Sequence, residues 1–194
     1  GSTIIIEACA KYSVKIMFAS TVYVYSRYGS FYRVTKQSIE LILEEYSRKY
    51  NLVYTILRYG SLYGPNAQNW NGVKSSILKM INNKKIVVSG TGNEKREFIH
   101  VNDAAKLSII SIDDKYKNKA VSITGTQVLS QSELLEIIKE ILSDDIKIEY
   151  DFATRRRDHY QLTPYQYTPK HATKLISNEY IDIGQLKKGG IFLD

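Results

Sequence analysis

Tyr32 and Lys36 lie four residues apart, and Thr21 lies a short way upstream. These are the side chains of this sequence best suited to chemistry. On a helix, positions i and i+4 share one face, and residues 31–49 carry helical periodicity, with Ile39, Leu41, Ile42 and Tyr46 on the apolar side. Thr21 closes an apolar run over residues 14–19 that is rich in strand formers. A phenol, an ammonium and an alcohol converging on one point can move a proton to or from a sugar hydroxyl or a carbonyl. A free phenol, with a pKa of about 10, is a poor base near neutrality. A cation one turn away favours the phenolate, and a drop of about 3 units corresponds to about 4 kcal/mol.

Those three residues need a strand end and a helix start held together, and the flanking pattern supplies both. Residues 2–11 read as the end of a helix, 14–19 as a buried strand and 31–49 as a long helix. Residues 52–57 read as a second buried strand and 60–70 as a loop marked by Gly64-Pro65. Further on, 73–81 is helical, 86–88 is a short strand, and 97–101 is a strand running into a helix capped by Asn102. Residues 120–123 form another strand. Ser130 and Glu133 form a capping box for a helix over 131–142, 146–150 closes the strand set, and a short helix falls near 170–176 in an irregular tail. Strands alternating with helices predict an α/β sheet layered with helices. The early part is one half of a doubly wound domain, and the later elements form a smaller lobe over its carboxyl edge.

Composition narrows the classes. The 194 residues suffice for one full core and part of a second, and 43% hydrophobic with 24% charged residues is ordinary for a globular protein. No apolar run approaches membrane-spanning length and no signal peptide is visible, so neither a membrane partner nor a secreted location is expected; the cytoplasm is. The single cysteine, Cys9, excludes an internal disulfide, and His100, His159 and His171 share no ligand spacing, so no metal site is expected. The formal charge of +7 suits an anionic partner. The basic residues are not interleaved with aromatics on one element, so nucleic acid is not expected.

Read together, the motifs resemble those of the extended short-chain dehydrogenase/reductases, the NAD-dependent epimerases and dehydratases of nucleotide sugars. Gly1-Ser2-Thr3 with Glu7-Ala8-Cys9 resembles a helix of that family. Phe18-Ala19-Ser20-Thr21 with Val24-Tyr25 resembles its strand-end motif, and Tyr32-Arg33-Val34-Thr35-Lys36 is its YxxxK. Leu57-Arg58-Tyr59-Gly60-Ser61-Leu62-Tyr63-Gly64-Pro65 resembles LRYFNVYGP. Gly90-Thr91-Gly92 followed by Arg96-Glu97-Phe98-Ile99-His100-Val101-Asn102-Asp103 resembles its GDG…RDF segment. The four motifs stand in the family's order.

The resemblance implies a partial Rossmann-type sheet over residues 1–64 and a smaller α/β substrate-binding lobe over 65–194, with some of its segments returning to the sheet. It implies NAD as cofactor, with NADP left open, and a nucleotide-diphosphate sugar as substrate. Thr21, Tyr32 and Lys36 would be catalytic; Ser20, Tyr32, Lys36 and Tyr59 would face the cofactor; Thr21, Ser61, Arg96, Arg155 and Asp158 would face the substrate. It also implies a homodimer through the helices at 2–11 and 31–49. The Gly-rich turn that cradles a dinucleotide pyrophosphate is not in this sequence, so the chain is expected to be the C-terminal two-thirds of such an enzyme, inactive alone. Val22 and Tyr23 stand where a dehydratase of that family would carry a carboxylate pair, which favours an epimerase or reductase over a dehydratase. An inactive fragment or partner-dependent binding module is the competing expectation.

Overall fold

The computed structural model describes residues 1–26, 29–153, 172–179 and 183. Its largest sheet is parallel, in the order β1 (Ile16–Thr21), β2 (Tyr54–Tyr59), β6 (Lys119–Ile123), β9 (Ala172–Lys174). Parallel strands covered on both faces read as near-continuous apolar runs, and β2 shows why. Ile56 points into a cluster with Ile6, Leu43, Leu52 and Tyr54, beneath α1 (Ser2–Lys11) and α2 (Ser30–Tyr50). Leu57, its neighbour, enters a separate cluster with Ile99, Leu107, Val121 and Ile123, beneath α4 (Val101–Ile110). Asn51 ends α2 in the left-handed conformation at φ 56°, as an αL cap does.

A third cluster forms around α3 (Gly72–Asn83) and α5 (Gln131–Leu142), with Val73, Ile77, Met80, Leu135 and Ile138 at its centre. It packs on the parallel pair of β4 (Lys85–Ser89) and β8 (Lys147–Asp151) through Ile86 and Val88. Between the clusters runs β5 (Lys95–His100). It pairs parallel with β3 (Ser61–Tyr63) and antiparallel with β7 (Val128–Ser130). Where β5 passes the ends of β2 and β6, backbones touch. A Cβ at Gly60 would stand 2.7 Å from the Glu97 carbonyl oxygen, and one at Gly125 would stand 1.9 Å from that of Phe98. Only glycine fits at either point.

Three elements differ from the sequence reading. Residues 61–63 pair as β3 inside the expected loop, because β5 offers them a ladder. Residues 172–174 form a strand beside β6 rather than a helix, so a sheet edge overrides local helical pattern. The first cap of α4 is His100, whose Nδ1 accepts from Asn102 N at 3.2 Å; the expected Asn102 is already inside the helix. The capping box of Ser130 and Glu133 is present as expected. Among the described residues no helix is long and apolar enough to cross a membrane.

Candidate active site

The carboxyl end of β1 and the first turns of α2 meet where open α/β sheets bind ligands. Thr21 is the last residue of β1. Its Oγ1 accepts from Tyr23 N at 3.2 Å and so starts a 3₁₀ turn over Val22–Tyr25. Lys36 reaches back across this junction, and its Nζ donates to the Ala19 carbonyl at 2.8 Å. The same ammonium lies 5.0 Å from the Phe18 ring centroid and 5.8 Å from that of Tyr32. Tyr32 is half exposed, at 53%. Its ring meets Tyr23 edge to face, with centroids 6.2 Å apart.

One helical turn beyond Lys36, α2 grips the sheet a second time. Ser20, Arg58 and Ser122 are register partners across β1, β2 and β6. Ser20 Oγ donates to Glu40, and Arg58 forks onto the same carboxylate, through Nε at 3.1 Å and a terminal nitrogen at 2.6 Å. The other terminal nitrogen donates to the Tyr25 hydroxyl at 2.9 Å, and that hydroxyl stands 3.4 Å from Ser122 Oγ. All five side chains are buried. Burial by itself would lower the Arg58 pKa, but the bonds and charge of Glu40, with Tyr25, outweigh it and raise it. Gln37 Nε2 donates to the Val24 carbonyl at 2.7 Å and fixes the turn between. Thr21 is thus held between two anchored residues, Ser20 and Tyr25.

Tyr23 leads from this junction into a cavity of about 460 Å³. The cavity runs between α3, β4, β5 and the start of α5, and its lining includes Ser61, Trp70, Lys79 and Arg96. Among the described residues its lining carries two cations, Lys79 and Arg96, and no carboxylate. The Arg96 Nε is buried and has no hydrogen-bond partner among the described residues. Burial pushes the Tyr23 phenol above the ordinary tyrosine value; the Arg96 guanidinium opposes the shift and Tyr32 adds to it. Tyr23 is therefore a neutral donor near pH 7. A larger depression of about 950 Å³ lies between α2, β2, β6 and β9, beside Glu44, Arg48 and Lys119, and none of the described residues expected at the site lines it.

The structure brings Thr21, Tyr32 and Lys36 to one junction, and Ser61 and Arg96 to one cavity. Ser20 adjoins the junction, but its hydroxyl is turned into the Glu40 network. Tyr59 is turned toward α4, where its hydroxyl lies 2.6 Å from Ser108 Oγ. Arg155 and Asp158 lie outside the described residues. Sequence reasoning gave no role to Tyr23, Glu40 or Arg58. Arg58 stands in a quoted motif, and Glu40 lies one turn past Lys36; that spacing was the available signal.

A parallel α/β sheet carrying a Tyr–Lys helix at the carboxyl end of its strands, beside a cationic cavity, defines a Rossmann-type fold. The sequence profile of the NAD dependent epimerase/dehydratase family matches residues 1–124, and the chain belongs to that family. It is 33% identical over 157 residues to a putative UDP-glucose 4-epimerase of Methanocaldococcus jannaschii, covering 72% of this chain and 51% of that protein. The UDP-N-acetylglucosamine 4-epimerase of Methanobrevibacter ruminantium, solved with UDP-N-acetylmuramic acid, superimposes with a TM-score of 0.73 at 26% identity, over 82% of this chain and 56% of that one. The UDP-glucuronic acid 4-epimerase of Bacillus cereus, solved with UDP-glucuronic acid and NAD, shares the fold at a TM-score of 0.74 and 19% identity, over 95% and 62%. The chain thus spans about half the length of the M. jannaschii relative.

Proposed function

We propose that the protein to which this chain belongs is an NAD-dependent nucleotide-sugar epimerase serving bacterial surface-polysaccharide or sugar-nucleotide synthesis. The observation that carries this reading is the continuity of the Thr21–Tyr32–Lys36 junction, through Tyr23, with the cationic cavity. Residues 1–64 would supply the catalytic part of the dinucleotide-binding sheet. Residues 65–194 would supply most of the substrate lobe, with segments such as β6 returning to the sheet. NAD, when bound, would supply the hydride acceptor for oxidation at the sugar carbon. The donor set at the β1 end fits its ribose. An ammonium has three donors, and Lys36 spends one on Ala19, leaving the others for vicinal hydroxyls.

Tyr32 takes the proton of the sugar hydroxyl and returns it on reversal. The Lys36 charge favours the phenolate during that step, and Thr21 orients the same oxygen. Arg96 meets the diphosphate through paired, charge-assisted hydrogen bonds, and Ser61 lies beside it. The exposed apolar side chains of Ile4, Ile5, Phe31, Val34 and Leu41 on α1 and α2 support a homodimer through those helices. Sedimentation of a monomer at high concentration would contradict it.

The testing experiment uses the intact protein and Tyr32→Phe. Interconversion of UDP-glucose and UDP-galactose should fall by about 10²–10⁴-fold, while calorimetric affinity for UDP-glucose holds. A variant within a few-fold of the parent rate would overturn the assignment of Tyr32.

A further inference from the structure

Trp70 is the only tryptophan of the chain. It lines the same cavity as Arg96, and 80% of it is exposed. An aromatic surface of this size left in water at a concave rim is a place where a ligand is covered. Its position is held. The next residue, Asn71, caps α3 by accepting from Val73 N and Lys74 N, and its Nδ2 donates to the Leu62 carbonyl at 2.9 Å. Asn71 N donates to the Gln68 carbonyl at 2.8 Å, which closes the turn that carries the indole.

That anchoring decides which end of the cavity Trp70 serves. Leu62 follows Ser61, and Ser61 and Tyr23 line the same cavity. Tyr23 in turn touches Tyr32. Trp70 therefore borders the reacting end, and Lys79, Ile86 and Val87 mark the opposite end between α3 and β4. The group at the reacting end is the sugar. A pyranose has an apolar face of C–H bonds, and the electron-rich face of an indole attracts such polarised hydrogens.

We propose that Trp70 is a specificity-determining residue. Its indole packs on the apolar face of the hexose of a nucleotide-diphosphate sugar, and selects the sugar conjugate over the free nucleoside diphosphate. The inference rests on the nucleotide-sugar reading of the cavity and adds the residue that reads the sugar.

Selective excitation of the single indole reports on Trp70 alone. The whole chain is titrated with UDP-glucose and dTDP-glucose, and with UDP and dTDP as sugar-free controls, while calorimetry follows binding independently. The expected result is a saturable change in indole emission with at least one sugar conjugate and none with its nucleoside diphosphate. Trp70→Ala should weaken that conjugate up to about tenfold and leave the nucleoside diphosphate unchanged, with Trp70→Phe between. Saturable heat with no change in emission, or the same change with UDP or dTDP alone, overturns the role of Trp70 and leaves the nucleotide-sugar reading standing. No saturable heat with any of these ligands overturns both.

Discussion

The anchor beneath the Tyr32 helix and the cavity beside it are both polar, and they are built in opposite ways. In the anchor, Ser20, Glu40, Arg58, Tyr25 and Ser122 are all buried and hydrogen-bonded to one another. In the cavity, Arg96 keeps a buried Nε without a partner among the described residues, and the described lining offers cations without a carboxylate. A satisfied network fixes geometry, and an unsatisfied one waits for a group from outside. The lesson is that a fully paired polar cluster and a part-paired one lie apart in the fold, with the Tyr23 ring between Tyr32 and the cavity.

Breaking the anchor should have the largest effect on folding. Glu40→Ala leaves Arg58 charged and buried without its carboxylate, which costs about 3–5 kcal/mol, read as the denaturant midpoint of the chain. Replacing both partners together, as Glu40→Leu with Arg58→Met, should recover most of that loss. If the double variant were as unstable as the single, the pair would be valued for something other than charge compensation.

Arg96→Ala should do the reverse. Stability should hold, while binding of a UDP- or dTDP-linked sugar weakens by about 1.5–3 kcal/mol, about tenfold to more than a hundredfold. Arg96→Lys should recover only part, because a point charge lacks the guanidinium fork. Equal loss of stability in both variants would erase the contrast between the two clusters.

Smaller effects test the scaffold around the cavity. Ser130→Ala removes the cap of α5, whose first residue Gln131 lines the cavity, and should cost about 1 kcal/mol in thermal or denaturant unfolding. The gentlest effect is a pH slope. Burial lowers the His100 pKa below its ordinary 6.5, against the opposing charge of Asp103. The unfolded chain then protonates first as pH falls, so stability drops from about pH 6.5 down to the lower folded value and is flat above. His100→Asn, which can keep the cap, should flatten that slope. An unchanged slope would place the titration elsewhere.

Much of this was legible in the sequence, for physical reasons that also explain the omissions. Tyr32 and Lys36 lie within one helical turn, so periodicity alone put them together. Ser61 follows one strand signal and Arg96 opens another; the family resemblance singled them out, and their meeting requires that β3 and β5 pair. The Glu40–Arg58 pair spans two elements, and local pattern cannot show which side chains meet across a sheet. The short strands β3 and β9 exist because neighbouring ladders recruit them, against their own loop or helical pattern. Tyr59 was placed by its strand end, yet the face to which a side chain turns there is fixed by packing against α4, which spacing does not encode.

Gly60 and Gly125 press the ends of β2 and β6 against the carbonyls of β5, one and two residues past Arg96. This contact is a seam with no slack. The strand carrying Arg96 cannot slide relative to the sheet on which the Tyr32–Lys36 helix is anchored, so the distance between the proposed diphosphate contact and the proposed proton-transfer pair is set by backbone rather than by side chains. Substitutions along the cavity wall, at Trp70 or Lys79, can therefore alter what is bound without altering where its reacting atom falls.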